Sequence, residues 1–163
     1  MLTYAGAPWL HGFAAESTAV HSLDLRTRQV TTLPESLGLW SPRWSPDGRY
    51  LVAETVDSQQ LKLFDFTKQK WEPLAEAPGQ LLGYTTWSHD SRYVYFNVYD
   101  ETNNRVFRVS VEERHKPELV VDLGSLHTLS NYGKWFTLAP DGSVLTLRDT
   151  SIRDIYALDV RFP

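Results

Sequence analysis

Apolar side chains along this chain come in short runs, separated at near-regular intervals by clusters of Ser, Pro, Asp and Gly. Three runs stand out: Tyr50-Leu51-Val52-Ala53, Tyr93-Val94-Tyr95-Phe96 and Val144-Leu145-Thr146-Leu147. They read as buried central strands. Each follows the same kind of segment: Trp44-Ser45-Pro46-Asp47-Gly48-Arg49-Tyr50, Trp87-Ser88-His89-Asp90-Ser91-Arg92-Tyr93 and Leu138-Ala139-Pro140-Asp141-Gly142-Ser143-Val144. Pro presets φ at about −65°, Asp bonds the backbone beside it and Gly accepts positive φ, so these anchors predict tight hairpins.

The first two anchors lie 87 − 44 = 43 residues apart, and the third follows 138 − 87 = 51 later, which places an insertion including Gly124 to Tyr132 between them. A second signature recurs downstream, an apolar-Asp-apolar triplet seen as Leu23-Asp24-Leu25, Phe64-Asp65-Phe66 and Leu158-Asp159-Val160, with Ser110 in place of Asp in the middle unit. A repeat of this length holding four short strands is one blade of a β-propeller. In the best-defined unit the strands are expected at Leu39 to Ser45, Arg49 to Thr55, Leu61 to Phe66 and Trp71 to Leu74. The runs do not alternate cleanly between polar and apolar, as expected of sheets covered on both faces. Pro73 and Pro117 fall in the fourth strands, where an outer edge tolerates a missing N–H.

The fold class is therefore all-β: a partial β-propeller of about three and a half four-stranded blades, cut within a repeat at both ends. Residues 1–35 form an incomplete blade, 36–78 and 79–123 full blades, and 124–163 a blade lacking its outer strand. A ring of six blades needs roughly 260 residues, so these 163 do not close one. Isolated flanking blades would expose apolar faces and unpaired edges. The expected partners are accordingly a protein, the missing blades, or a second copy joined through open blade edges.

Composition narrows the function classes. Six Trp, eight Tyr and seven Phe favour strands, and 42% hydrophobic with 22% charged residues supports a buried core. A net charge of −4 with scattered basic residues argues against direct nucleic-acid binding. No cysteine is present, which excludes disulfides, thiolate metal sites and a Cys nucleophile but leaves the compartment open. No basic leader, export signal or long apolar run is evident, so no membrane insertion by this segment is expected.

At the anchors, and most fully in Ser41-Pro42-Arg43-Trp44-Ser45-Pro46-Asp47-Gly48-Arg49-Tyr50-Leu51 with Gln60-Leu61-Lys62-Leu63-Phe64-Asp65-Phe66, the sequence resembles the TolB-like, WD-like propeller repeats of bacteria. The resemblance covers nearly the whole chain. Through Ile155-Tyr156-Ala157-Leu158-Asp159 it is similar to the C-terminal propeller of bacterial signalling proteins that carry a winged-helix domain or a serine/threonine kinase. What the resemblance implies is a periplasmic or otherwise extracytoplasmic sensory or scaffolding propeller with protein partners. Ser91 for Gly, Leu138 for Trp and the insertion depart from the pattern.

Against that frame no catalytic, cofactor-binding or metal-binding residue is assigned, and no cofactor is expected. His11, His21, His89, His115 and His127 have no ligand spacing, and no G-x-S-x-G, G-x-G-x-x-G or P-loop pattern occurs. Asp47, Asp90 and Asp141 recur at one position of separate blades and read as turn residues. Glu112-Glu113 with Arg114-His115-Lys116 reads as a solvated hairpin tip. Trp44 and Trp87 read as blade core, whereas Trp40, Tyr84 and Trp135 lie near the innermost strands, where rings either pack or meet a ligand. The function expected is non-catalytic recognition as part of a larger regulator, the alternative being the propeller accessory of a peptidase or other hydrolase.

Overall fold

The computed structural model describes residues 1–5, 18–100, 103–126 and 134–150. Among them are thirteen strands and no helix: β1 (Leu2–Ala5), β2 (Val20–Leu23), β3 (Val30–Thr32), β4 (Leu39–Trp44), β5 (Tyr50–Thr55), β6 (Gln60–Asp65), β7 (Lys70–Glu76), β8 (Leu81–Trp87), β9 (Tyr93–Tyr99), β10 (Asn104–Ser110), β11 (Glu118–Asp122), β12 (Phe136–Leu138) and β13 (Val144–Thr146). They form four antiparallel sheets in chain order, β1-β2-β3, β4-β5-β6-β7, β8-β9-β10-β11 and β12-β13. The expected all-β partial propeller is what is found, with strand bounds in the second sheet within two residues of those read from the sequence. Pro73 lies in edge strand β7, while Pro117 stands immediately before β11. The triplet at Leu158 to Val160, and residues 127–133 around the insertion, lie outside the described residues.

The anchor turns are closed by their own side chains. Ser45 Oγ donates to Asp47 Oδ1 at 2.6 Å and accepts from the Tyr50 amide at 2.8 Å, while the Arg49 amide donates to Asp47 Oδ1 at 3.0 Å. Ser88, Asp90, Arg92 and Tyr93 repeat this arrangement at 2.6, 2.9 and 3.1 Å. In the third hairpin the serine has changed sides of the aspartate: Ser143 Oγ donates to Asp141 Oδ1 at 2.6 Å. That hairpin is also one residue tighter, since Leu138 pairs with Val144, six positions on, whereas Trp44 pairs with Leu51 and Trp87 with Val94, seven on. The downstream triplets work alike. Asp24 Oδ1 and Asp65 Oδ1 each accept the amide two residues on at 2.8 Å, and Ser110 Oγ takes over this role at 3.2 Å, which explains why the middle unit dispenses with Asp.

Packing between sheets follows one rule. The face of the second sheet carrying Leu51, Ala53, Phe64 and Trp71 covers Val20 and Leu33 of the first. Its other face, with Val52, Leu63 and Leu74, covers Val94, Phe96 and Val109 of the third. The third in turn buries Tyr95 and Val106 against Phe136 of the fourth. Each Val, Leu or Phe among them, fully buried, contributes roughly 1.5–3 kcal/mol before the entropy of ordering it is set against that gain. Burial on both faces accounts for the continuous apolar runs.

One local expectation is corrected. The tip at Glu112 to Lys116 is not merely solvated: the Arg114 guanidinium pairs with Glu72 of β7, and the His115 amide donates to the Leu74 carbonyl at 3.0 Å. The tip therefore clamps the third sheet to the outer strand of the second. Glu112 and Glu113 themselves are exposed.

Candidate functional site on the innermost strands

β4 and β8, the first strands of the two complete sheets, carry the same irregularity. Pairing slips between Trp40 and Arg43 in β4 and between Gly83 and Thr86 in β8. Within each bulge a non-glycine residue takes positive φ: Ser41 at 53° and Tyr84 at 49°, 84 − 41 = 43 positions apart. Such backbones cost on the order of 1–3 kcal/mol and bulges re-aim neighbouring side chains, so a repeated pair is a built feature of the inner rim.

Facing these bulges, the residue immediately after each of the first two central runs is polar. Glu54 pairs in register with Trp40, and Asn97 with Gly83. Asn97 Nδ2 donates to Asn104 Oδ1 and to the Lys134 carbonyl, both at 2.9 Å, which ties the third sheet to the approach to β12. Lys134 Nζ donates to the carbonyls of Asp100 and Asn103. Glu54 is fully buried, with Oε1 accepting a long contact of 3.5 Å from Thr85 Oγ1 and Oε2 without a donor. Burial pushes its carboxyl up to about 7, with Ser41, Arg43 and Thr85 pulling weakly the other way. Burial likewise raises the Tyr99 phenol, helped by the neighbouring Tyr84 and Glu54.

Gly83 lies against this cluster: a Cβ there would stand 3.4 Å from the Tyr99 ring and 3.7 Å from Glu54 Oε2, in ordinary van der Waals contact with both. The result is a polar junction between the second and third sheets, with Glu54 and Thr85 buried and the Tyr84 and Tyr99 rings half-buried beside them. Sequence reading passed over Glu54 and Asn97. The available signal was a polar residue closing each apolar run at equal repeat positions.

The aromatic residues singled out from sequence separate in the structure. The Trp40 indole donates to its own sheet's Thr55 carbonyl at 2.9 Å and is committed to packing. Tyr84 meets Tyr99 with ring centroids 6.1 Å apart. Trp135, just before β12, presents an exposed ring. Between the complete sheets, Ala77, Pro78, Phe96, Val98, Phe107 and Pro117 line a mainly apolar cleft of about 240 Å³. Among the described residues no three His, Cys, Asp or Glu side chains converge as a metal site; His11 and His127 lie outside the described residues.

No protein-family model matches this chain, and neither does any curated protein. Solved structures do. A TolB candidate from Agrobacterium tumefaciens matches with a TM-score of 0.63 at 19% identity, over 93% of this chain and 55% of that one. TolB from Acinetobacter baumannii matches with a TM-score of 0.56 at 19% identity, over 77% of this chain and 30% of that one. A prolyl endopeptidase matches with a TM-score of 0.53 at 17% identity, over 85% of this chain and 26% of that one. The chain thus spans from about a quarter to just over half of their lengths. At these identities the likeness is one of fold, and the fold is that of a TolB-like β-propeller portion.

Proposed function

We propose that this chain is a non-catalytic propeller module for protein or ligand recognition, the sensory or scaffolding part of a larger bacterial regulator. The observation that carries the reading is how the repeated polar residues are used. Ser45 with Asp47, Ser88 with Asp90, and Ser143 with Asp141 close their own turns, so the side chains most suggestive of chemistry serve the frame. What is left to meet a partner is the inner rim at Trp135, the cleft at Phe96 and Phe107, and the open faces of the terminal sheets. Division into units at 1–35, 36–78, 79–123 and 124–163 belongs to this reading, as does an extracytoplasmic location, supported by the likeness to TolB.

A second reading, the propeller accessory of a hydrolase, is favoured by the likeness to a prolyl endopeptidase. The coding sequence on either side of this chain tests the two. A winged-helix or kinase domain with a membrane span supports recognition; a hydrolase domain with a nucleophile elbow would overturn it.

A further inference from the structure

The three sheet-to-sheet interfaces join one kind of face to another. In the second sheet, Leu51 of β5, Phe64 of β6 and Trp71 of β7 stand in one register row and are buried against the first sheet. The equivalent row of the first sheet is Leu2, Leu23 and Val30, paired in the same way. Here Leu2 is 52% and Val30 55% exposed, and Tyr4, on the same side of β1 as Leu2, is 44% exposed. At the other end, Leu145 pairs with Thr137 as Val52 pairs with Arg43 and Tyr95 with Thr86. Val52 and Tyr95 are buried by the next sheet, whereas Leu145 is 48% and Leu147 45% exposed. Among the described residues one face of each kind is thus left open, and these two kinds already pack together three times.

We propose that a second copy of this chain docks its β12–β13 face, through Leu145 and Leu147, onto the β1–β3 face at Leu2, Tyr4 and Val30, head to tail. Open apolar faces on strands are association sites, and the complementarity needed is supplied by the repeat itself. The interface is heterologous, because the two surfaces in contact differ, and it therefore propagates until a ring closes. The inference goes beyond the recognition reading and does not depend on it.

Light scattering during size exclusion, over a roughly hundredfold range of concentration, is the test. The unaltered chain should grow in mass with concentration. Tyr4→Glu and Leu145→Glu each place a charge on one open face, and each alone should be monomeric with an unchanged far-ultraviolet spectrum. Mixed, they should form a one-to-one dimer that grows no further, because one sound interface remains. A chain that is monomeric throughout, an association indifferent to either substitution, or a mixture without the dimer would each overturn the proposal. The concentration series on the unaltered chain decides even if a variant misfolds.

Discussion

The Trp87 indole donates across the sheet boundary to the Arg43 carbonyl at 3.0 Å, whereas Trp44, at the same repeat position, has a buried Nε1 with no acceptor. Trp44 instead stacks its ring on Phe66, with centroids 4.5 Å apart. The two indoles therefore differ in what their N–H contributes. Trp87→Phe removes this hydrogen bond together with part of a buried ring and should cost about 2 kcal/mol, while Trp44→Phe removes an unsatisfied donor and should cost less than about 1 kcal/mol. Urea melts of the two variants measure the difference; equal losses would contradict this account.

Glu54 sets an unusual pH dependence. Its folded carboxyl titrates at about 7, above its unfolded value of 4.5, so the folded state holds the proton more tightly. Stability should therefore fall as pH rises from about 4.5 through 7, by roughly 3 kcal/mol for a shift of this size. Asp47, Asp90 and Asp141 run the opposite way. Their hydrogen bonds, led by those from Ser45, Ser88 and Ser143, hold them below 3.8, so that contribution is present above 3.8 and lost in stronger acid. Maximum stability is expected at mildly acidic pH. Glu54→Gln should flatten the loss between pH 5 and pH 8, as denaturant melts at the two values would show; a variant with the same slope as the original would exclude Glu54 as its source.

Much of this architecture was legible because turns and periodicity are local. Trp44 to Tyr50 and Trp87 to Tyr93 fold as their residue types dictate, and the central runs between them announce sheets buried on both faces. What the sequence hid was tertiary. Nothing within five residues of Arg114 indicates that it will pair with Glu72, 42 positions away, or that Glu54 will meet Thr85 across a sheet boundary. The Trp40, Tyr84 and Trp135 group was read by place in the repeat alone, whereas their fates depend on neighbouring sheets.

Ser91 tests the balance between backbone strain and a hydrogen bond. It takes the turn position that glycine holds in the other anchors, at φ 60°, and its hydroxyl accepts the Asp47 amide of the adjacent turn at 3.1 Å. Ser91→Gly relieves the strained φ while losing that bond, and these terms, each about 1 kcal/mol, should nearly cancel. Ser91→Ala keeps the strain and loses the bond, so it should cost about 1 kcal/mol. A thermal melt of Ser91→Ala that matches the unaltered chain would show that the hydroxyl does not matter, and one that ranks alanine above glycine would show that the positive φ carries no strain.

The clamp between the second and third sheets separates into a charged part and a backbone part. Arg114 and Glu72 are each more than two-thirds shielded, and the guanidinium, aided by Lys68, holds the Glu72 carboxyl below its usual range. A double-mutant cycle of Glu72→Ala and Arg114→Ala should give a coupling of about 0.5–1.5 kcal/mol that shrinks at high salt. The His115 amide, bonded to the Leu74 carbonyl, does not depend on either charge. Its hydrogen exchange should stay protected in Arg114→Ala, because the backbone bond continues the third sheet's contact with β7 after the ion pair is gone. Loss of that protection together with the charge would mean that the ion pair holds the tip and the backbone bond merely follows.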